Sequence, residues 1–330
     1  MSEHRSGFVS LVGRPNVGKS TLVNRLVGSK VSIVSNRPQT TRTQIRGVRT
    51  TPESQIVLLD TPGIHKPRTL LGERCNTRSV ETLSEVDVVC LLVEANAQIG
   101  AGDRFIADLV HQAATPSVLV LNKTDAASRA DVVDHLARVT EELGSFEAFV
   151  PLSARTGEGV AALVAELEAR MPPGPVYYPD GVVSDQPEAA LVAELMREKL
   201  LAVARDELPH SIVVTAEPLD EDDDAFAAEA EDGGRRGGGR EASEAGPERP
   251  APQAREREEG ILRYRVVVRV ERESQKGIVI GKGGAVIRDA GTKARQELEV
   301  LLGARVYLES RVRVDPDWQR RAHALDRLGL

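Results

Sequence analysis

The stretch Phe8-Val9-Ser10-Leu11-Val12-Gly13-Arg14-Pro15-Asn16-Val17-Gly18-Lys19-Ser20-Thr21 decides the fold, because it joins an apolar strand to a helix through a glycine-bounded loop. In that setting Gly13-x-x-x-x-Gly18-Lys19-Ser20 is a phosphate-cradling motif. Its glycines let the backbone wrap closely round an anion, with amide hydrogens reinforced by the helix N-terminus. Lys19 is expected to reach the outer phosphates and Ser20 to ligate magnesium. The candidate phosphate-contacting residues are therefore Gly13, Arg14, Pro15, Asn16, Val17, Gly18, Lys19, Ser20 and Thr21.

Working outward, the apolar runs 8–12, 56–59, 88–93, 118–121 and 149–152 read as strands, with amphipathic helices between them. Their Val, Leu and Ile do not alternate with polar residues, which suits strands covered on both faces of a parallel sheet. The expectation is a doubly wound α/β domain over 6–171. Three further words stand at the carboxyl ends of these strands, where ligands gather in open α/β sheets. Asp60-Thr61-Pro62-Gly63 offers a carboxylate to a metal-bound water and the Gly63 amide to the outermost phosphate. Asn122-Lys123-Thr124-Asp125 offers a carboxylate to the two nitrogen donors of guanine, which adenine lacks, so GTP or GDP is favoured over ATP. Ser153-Ala154 would present a backbone amide to the guanine oxygen. In the polar stretch 35–44, Thr41 rather than Thr40 is favoured as a second magnesium ligand, closing only when the outermost phosphate is present. Ser20, Thr41 and Asp60 form the expected magnesium set; Lys19, Thr41, Gly63 and Asn16 are the expected catalytic residues. Ile64 follows Gly63 where many small GTPases carry a glutamine that orients water, so slow intrinsic hydrolysis is expected.

The chain has 330 residues, 41% hydrophobic and 28% charged, enough for two soluble domains. No apolar run approaches the roughly 20 residues of a membrane span, and residues 1–8 lack a signal-peptide core. The two cysteines, Cys75 and Cys90, have no disulfide or metal spacing, so a reducing cytoplasm is expected. The net charge of −7 conceals a division along the chain. Residues 217–259 hold 15 acidic against 6 basic side chains, whereas 260–330 hold 15 basic against 9 acidic. A basic C-terminal domain inside an acidic chain suits a polyanion partner.

Pro172-Pro173-Gly174-Pro175 stops the helix ending near 171 and opens a linker, 172–187. Beyond it a helix (188–204), strands at 211–216 and 262–270, helices at 274–280 and 285–302 and a strand at 305–314 are expected. In 262–270, Tyr264, Val266, Val268 and Val270 face one way and Arg263, Arg265 and Arg269 the other, as on a solvated strand face. The acidic, glycine- and proline-rich segment 218–259 has too little apolar surface to fold and reads as an insertion at a hairpin tip. Growing a flexible loop from roughly 10 to roughly 40 residues costs only about 1.2 kcal/mol, which a small domain survives. Between two helices, Gly277-x-x-x-Gly281-Lys282-Gly283-Gly284 resembles the GxxG loop of a KH domain, whose bare backbone approaches nucleic-acid phosphates. Lys276, Gly281, Lys282, Gly283, Gly284 and Arg288 are the candidate RNA contacts, with Val279, Ile280 and Ile287 as an apolar groove wall. The KH domain is expected over 188–217 and 260–315, with a helical tail over 316–330.

A P-loop GTPase joined through a Pro-rich linker to a KH domain resembles the Era family over nearly the whole chain. The likeness includes Pro38-Gln39-Thr40-Thr41-Arg42, Arg197-Glu198-Lys199-Leu200, Gln275-Lys276-Gly277-Ile278-Val279-Ile280-Gly281, Trp318 and Arg327-Leu328-Gly329. Asn16 is similar to the asparagine of potassium-stimulated GTPases, implying a K+ beside the β- and γ-phosphates. The resemblance implies a GTPase that binds 16S rRNA near its 3′ end in the small ribosomal subunit and assists 30S assembly. It also implies peripheral association with the inner face of the cell membrane; a monomer is expected. The competing expectation is a GTPase that regulates a protein or membrane partner through its KH-like domain. The acidic insertion departs from the family's usual short connection.

Overall fold

The computed structural model describes residues 3–35, 37, 40–203, 208–219 and 260–330. Pro38 and Gln39 of the expected switch and most of the expected insertion, 220–259, lie outside the described residues. The chain divides into two compact units: Met1–Asp185 with Ala204–Ser211 and Asp315–Leu330, and Gln186–Val203 with Ile212–Val314.

The first unit is a doubly wound α/β domain. Strands β1 (Arg5–Gly13), β2 (Ile45–Thr50), β3 (Ser54–Asp60), β4 (Val88–Glu94), β5 (Ser117–Asn122) and β6 (Ala148–Pro151) form one sheet. Its order is β2-β3-β1-β4-β5-β6, parallel throughout except for β2, which runs antiparallel to β3. Helices α1 (Lys19–Val27), α2 (Leu70–Glu81), α3 (Ala101–Ala113), α4 (Arg129–Leu143) and α5 (Val160–Arg170) cover its faces. Successive residues of β4 serve opposite cores. Val88, Cys90 and Leu92 pack with Leu22, Leu26 and Leu163 of α1 and α5, while Val89, Leu91 and Val93 pack with Ile106, Val110 and Val139 of α3 and α4. That two-sided burial explains the unbroken apolar runs. Strand β2 has no such run, because it is an edge strand with Arg46 exposed between buried Ile45 and Gly47, and sequence pattern did not reveal it. Pro151 ends β6, leaving Leu152 just outside the expected strand.

The stretch expected as a linker packs along this unit up to residue 185. Ser6 and Gly174 bond to Pro172 and His4 backbone oxygens, the Val48 amide donates to Val183 O at 2.9 Å, and the Gln55 side chain accepts from the amides of Tyr177 and Tyr178.

The second unit has strands β7 (Val213–Pro218), β8 (Leu262–Val270) and β9 (Val306–Val314) in that order, β7 antiparallel and β9 parallel to β8. A parallel neighbour requires a crossover. Helices α8 (Glu273–Ile280) and α9 (Ala285–Leu302) supply it, and α6 (Glu188–Val203) precedes β7. Val266, Val268 and Val270 are fully buried, as are Val192, Leu195 and Met196 of α6 and Ala294 and Leu298 of α9. Ser211 closes a helical turn, α7 (Leu208–Ser211), rather than opening β7.

Candidate functional site

The loop after β1 takes the shape that only glycine tolerates at two points. Gly13 has φ 151° and Gly18 φ 101°, and a Cβ on Gly18 would lie 2.3 Å from Asn122 Nδ2. Asn16, exposed at the loop crest, also takes positive φ, 67°. Lys19 is buried and its Nζ donates to the carbonyls of Gly13 and Arg14, at 3.2 and 3.1 Å. Burial pulls its ammonium down to about 8, against the pull of the Asp60 charge. Arg14 turns away from the loop to pair with Asp103 of α3 at 2.8 Å. Val17 is buried in the core.

The magnesium candidates converge. Ser20 Oγ and Thr41 Oγ1 are 3.0 Å apart, and Thr41 Oγ1 donates to Asp60 Oδ2 at 3.4 Å. Thr40 instead donates to Arg37 O, so Thr41 is the threonine brought to Ser20. Asp60 is fully buried and its Oδ1 has no hydrogen-bond partner among the described residues. Burial pushes its carboxyl up from the ordinary value, opposed by neighbouring hydroxyls and the Lys19 ammonium. Two hydroxyls and a carboxylate, one of whose buried oxygens is orphaned, fit a hard, oxygen-preferring cation such as Mg2+. No group of three or more His, Cys, Asp or Glu side chains suited to a metal occurs among the described residues.

Gly63 lies against the phosphate loop, where an added Cβ would meet Pro15 Cα at 2.8 Å. Thr61 Oγ1 donates to Leu11 O and Ser79 Oγ to Pro62 O, which hold this turn. Ile64 gives its amide to Gly13 O at 3.3 Å, but its side chain is 2% exposed and packs in the core. It is not among the residues that line the cavity described below. His65, which sequence reading missed, bonds through Nδ1 to Gly63 O at 2.8 Å and is clasped by Asn76 of α2.

At the other end Asn122 Oδ1 accepts from the Ala154 amide at 3.0 Å. Asp125 accepts from Ser153 Oγ at 2.5 Å and pairs with Arg155. The Ser153 hydroxyl, then the Arg155 charge, holds its carboxyl below the ordinary value, so it is an anion ready to accept. Arg155 carried no motif of its own and was missed. Lys123, in left-handed conformation, pairs with Glu94 at 2.7 Å, and the Thr124 amide donates to Leu152 O. One cavity of about 590 Å³ is lined from Lys19, Ser20 and Thr41 at one end to Asn122, Asp125 and Ala154 at the other. Thr21 also lines it. The size suits a nucleotide.

The second unit presents the motif with Gly277 inside α8 and Gly281 to Gly284 between α8 and α9. Gly283 (φ 58°) and Gly284 (φ 78°) are left-handed, Gly281 takes positive φ (72°) with an extended ψ of 172°, and a Cβ on Gly281 would meet Val286 Cγ2 at 2.5 Å. Around Gly283 there is open space. Arg288 Nη2 donates to Gly283 O at 2.6 Å, bracing the loop it was expected to serve as a phosphate contact. Lys282 is exposed, while Lys276 is half-buried, 3.9 Å from Glu273. Val279 is fully buried and so is withdrawn from the expected groove wall; one residue earlier on the helix, Ile278 is 57% exposed. The 100° step between neighbours on a helix separates them.

The "50S ribosome-binding GTPase" family matches residues 8–123 and the "KH domain" family residues 255–319. GTPase Era of Mycobacterium sp. strain KMS is 46% identical over 332 residues, covering 100% of both chains. GTPase Era of Mycobacterium tuberculosis is 45% identical, also over 100% of both. An Aquifex aeolicus Era variant solved with GDP and aluminium fluoride superposes with TM-score 0.84 at 32% identity, over 98% of this chain and 99% of that one. An Era solved with MgGDPNP and nucleotides 1506–1542 of 16S ribosomal RNA gives TM-score 0.83 at 33% identity, over 99% of each. This chain, with its guanine-nucleotide cavity and its KH-type loop, belongs to the Era family of GTPases.

Proposed function

We propose that this protein hydrolyses GTP as a switch, binds 16S rRNA of the small ribosomal subunit through the glycine loop 281–284, and assists 30S assembly. The observation that carries the proposal is that one chain holds both a cavity with an ionised Asp125 at its base-binding end and a KH-type loop with a bare backbone. An Era relative was solved with a GTP analogue and 16S rRNA nucleotides together. The GTPase domain is assigned to 6–171, the KH domain to 188–217 and 260–315.

Lys19 would contact the outer phosphates, the Gly63 amide would bind the γ-phosphate, and Asp125 would accept from guanine. Ser20, Thr41 and Asp60 would hold Mg2+, which when bound neutralises charge developing on the phosphates. Thr41 would report the γ-phosphate by leaving or joining that set. With Ile64 turned into the core, no side chain at that position orients water, and turnover is slow until another group supplies the stabilisation. Asn16, at the loop crest, would help hold K+ near the β- and γ-phosphates. Equal turnover in potassium and sodium, or an Asn16→Ala variant that keeps a potassium response, contradicts that assignment. Lys276, Lys282 and Arg288 would meet RNA phosphates. The protein is assigned to the cytoplasm as a monomer, with any membrane contact peripheral; among the described residues no helix is long and apolar enough to cross a membrane.

The test is crosslinking to RNA in cells, with binding to the 3′ segment of 16S rRNA measured across salt. Recovery of 16S rRNA, steep loss of affinity with salt and collapse on Gly283→Asp support the proposal. Recovery of messenger RNA alone, or RNA binding indifferent to both salt and Gly283→Asp, overturns it in favour of a protein or membrane partner.

A further inference from the structure

The segment Asp315–Leu330 belongs to the first unit, and it meets both segments that approach the phosphate end of the cavity. Trp318 stands in a short 3-10 turn and is 0% exposed, among the largest fully buried side chains. Its indole Nε1 donates to Ser211 O at 3.0 Å. The guanidinium of Arg42 lies over its ring, 5.4 Å from the centroid. Arg42 is itself only 5% exposed and directly follows Thr41, whose hydroxyl sits beside Ser20 and Asp60.

The same segment holds α2, the helix that follows the turn Asp60-Thr61-Pro62-Gly63. Arg74 of α2 donates from Nη1 to Asp326 Oδ1 at 2.7 Å and to Leu330 O at 2.8 Å. Cys75, one residue on, directs its thiol at Arg42 O at 3.5 Å. The segment is braced from within, since Asp315 pairs with both Arg321 and Arg327, and Ala324 and Leu325 of α10 (Ala322–Arg327) are buried. Three pieces of chain far apart in sequence therefore close one ring: 41–42, 74–75 and 318–330.

We infer that Trp318 and the Arg74-bound residues are positioning residues for GTP hydrolysis, with Trp318 acting through Arg42 to set where Thr41 lies. Trp318 touches neither nucleotide nor metal candidates. It fixes the residue next to the one that does. A buried arginine over an indole is strongly oriented, because the cation has left water and the ring face replaces part of its solvation. A desolvated contact of that class biases a two-position loop by about tenfold or more. Linkage makes the effect reciprocal: if the γ-phosphate draws Thr41 in, the surroundings of Trp318 change with the nucleotide. Because 314 and 315 are joined by a peptide bond, the segment that feels the switch is also the continuation of β9 in the glycine-loop unit.

The inference rests on the GTPase reading above, and the experiment separates the two. Trp318 is the only tryptophan of the chain, so emission and iodide quenching of the full-length protein, excited at the red edge where its four tyrosines do not absorb, report on this site alone. These are compared in MgGDP and in Mg with a non-hydrolysable GTP analogue, and kcat and KM for GTP are measured for wild type, Trp318→Phe, Trp318→Leu and Arg74→Gln. The Arg74 change is at a partly exposed side chain and guards against a Trp318 variant that fails to fold. Emission is expected to differ between the two nucleotide states. Arg74→Gln and Trp318→Leu are expected to lower kcat about fivefold or more with KM within about twofold, Trp318→Phe to restore most of the loss, and Arg74→Gln to shrink the emission difference. If wild type does not turn over GTP, the GTPase reading fails. If wild type turns over GTP but its emission and quenching are the same in both states, or Arg74→Gln keeps wild-type kcat, this inference alone is overturned.

Discussion

Asn122 donates from Nδ2 to the Val17 carbonyl at 2.8 Å, across 105 residues of chain, and thereby fastens the phosphate loop to the base-binding strand end. Its Oδ1 meanwhile receives the Ala154 amide, so a single 2%-exposed amide side chain ties together three of the four sequence words. Gly18 is glycine in part because this side chain fills the place of a Cβ. Replacing Asn122 by Ala orphans a buried carbonyl and a buried amide, at about 1–3 kcal/mol each. Asn122→Ala is expected to lose at least tenfold in GDP affinity and to unfold several degrees earlier. Fluorescent-GDP titration and a melt with and without nucleotide measure both.

Asp125 is the base reader, and it is held as an anion by Ser153 and Arg155. Asp125→Asn replaces an acceptor by a donor at one oxygen. Guanine then loses a paired acceptor, while xanthine, with a carbonyl at that edge, gains a donor. The expected outcome is a fall in GTP affinity of about a thousandfold or more with a rise for XTP, read by competition binding with both nucleotides.

Gly281 (φ 72°, ψ 172°) and Gly283 (φ 58°, ψ 25°) both take positive φ but differ in ψ and in surroundings. An L-residue pays roughly 1–2 kcal/mol for the left-handed conformation of Gly283, and the extended positive-φ region of Gly281 is essentially confined to glycine. Gly283→Ala, in open space, should cost about that much. Gly281→Ala adds a 2.5 Å approach to Val286 and should cost clearly more, about 3 kcal/mol in all. Urea unfolding of the two variants tests the order.

Cys90 sits in the middle of β4, fully buried, and burial pushes its thiol up to about 12 from 9.0. A folded-state value raised above the unfolded one gives stability that is complete below about pH 9 and is lost as pH rises toward 12. Cys90→Ala should therefore weaken the fold at pH 7 through its cavity yet show a shallower fall above pH 9 than wild type. In the folded wild type at pH 8.5, an alkylating reagent should leave Cys90 unmodified, and it should label the residue once urea has unfolded the chain. Mass spectrometry reads the difference.

The sequence by itself determined the β-loop-α phosphate site, the guanine-reading carboxylate and the KH-type loop. Each is a local word whose backbone geometry and chemistry are written in adjacent residues: glycine at left-handed positions, lysine and serine at a helix start, apolar runs for strands buried on both faces. Tertiary structure decided what depends on distance. Strand β2 was illegible because an edge strand buries one face and needs no apolar run. His65 and Arg155 gained significance only from partners brought to them by folding. The turning of Ile64 into the core and of Val279 away from the loop were each set by packing. The ring from Thr41-Arg42 through Arg74-Cys75 to Trp318 joins residues nearly 280 positions apart, and no local periodicity encodes a contact that exists only when the chain is closed on itself.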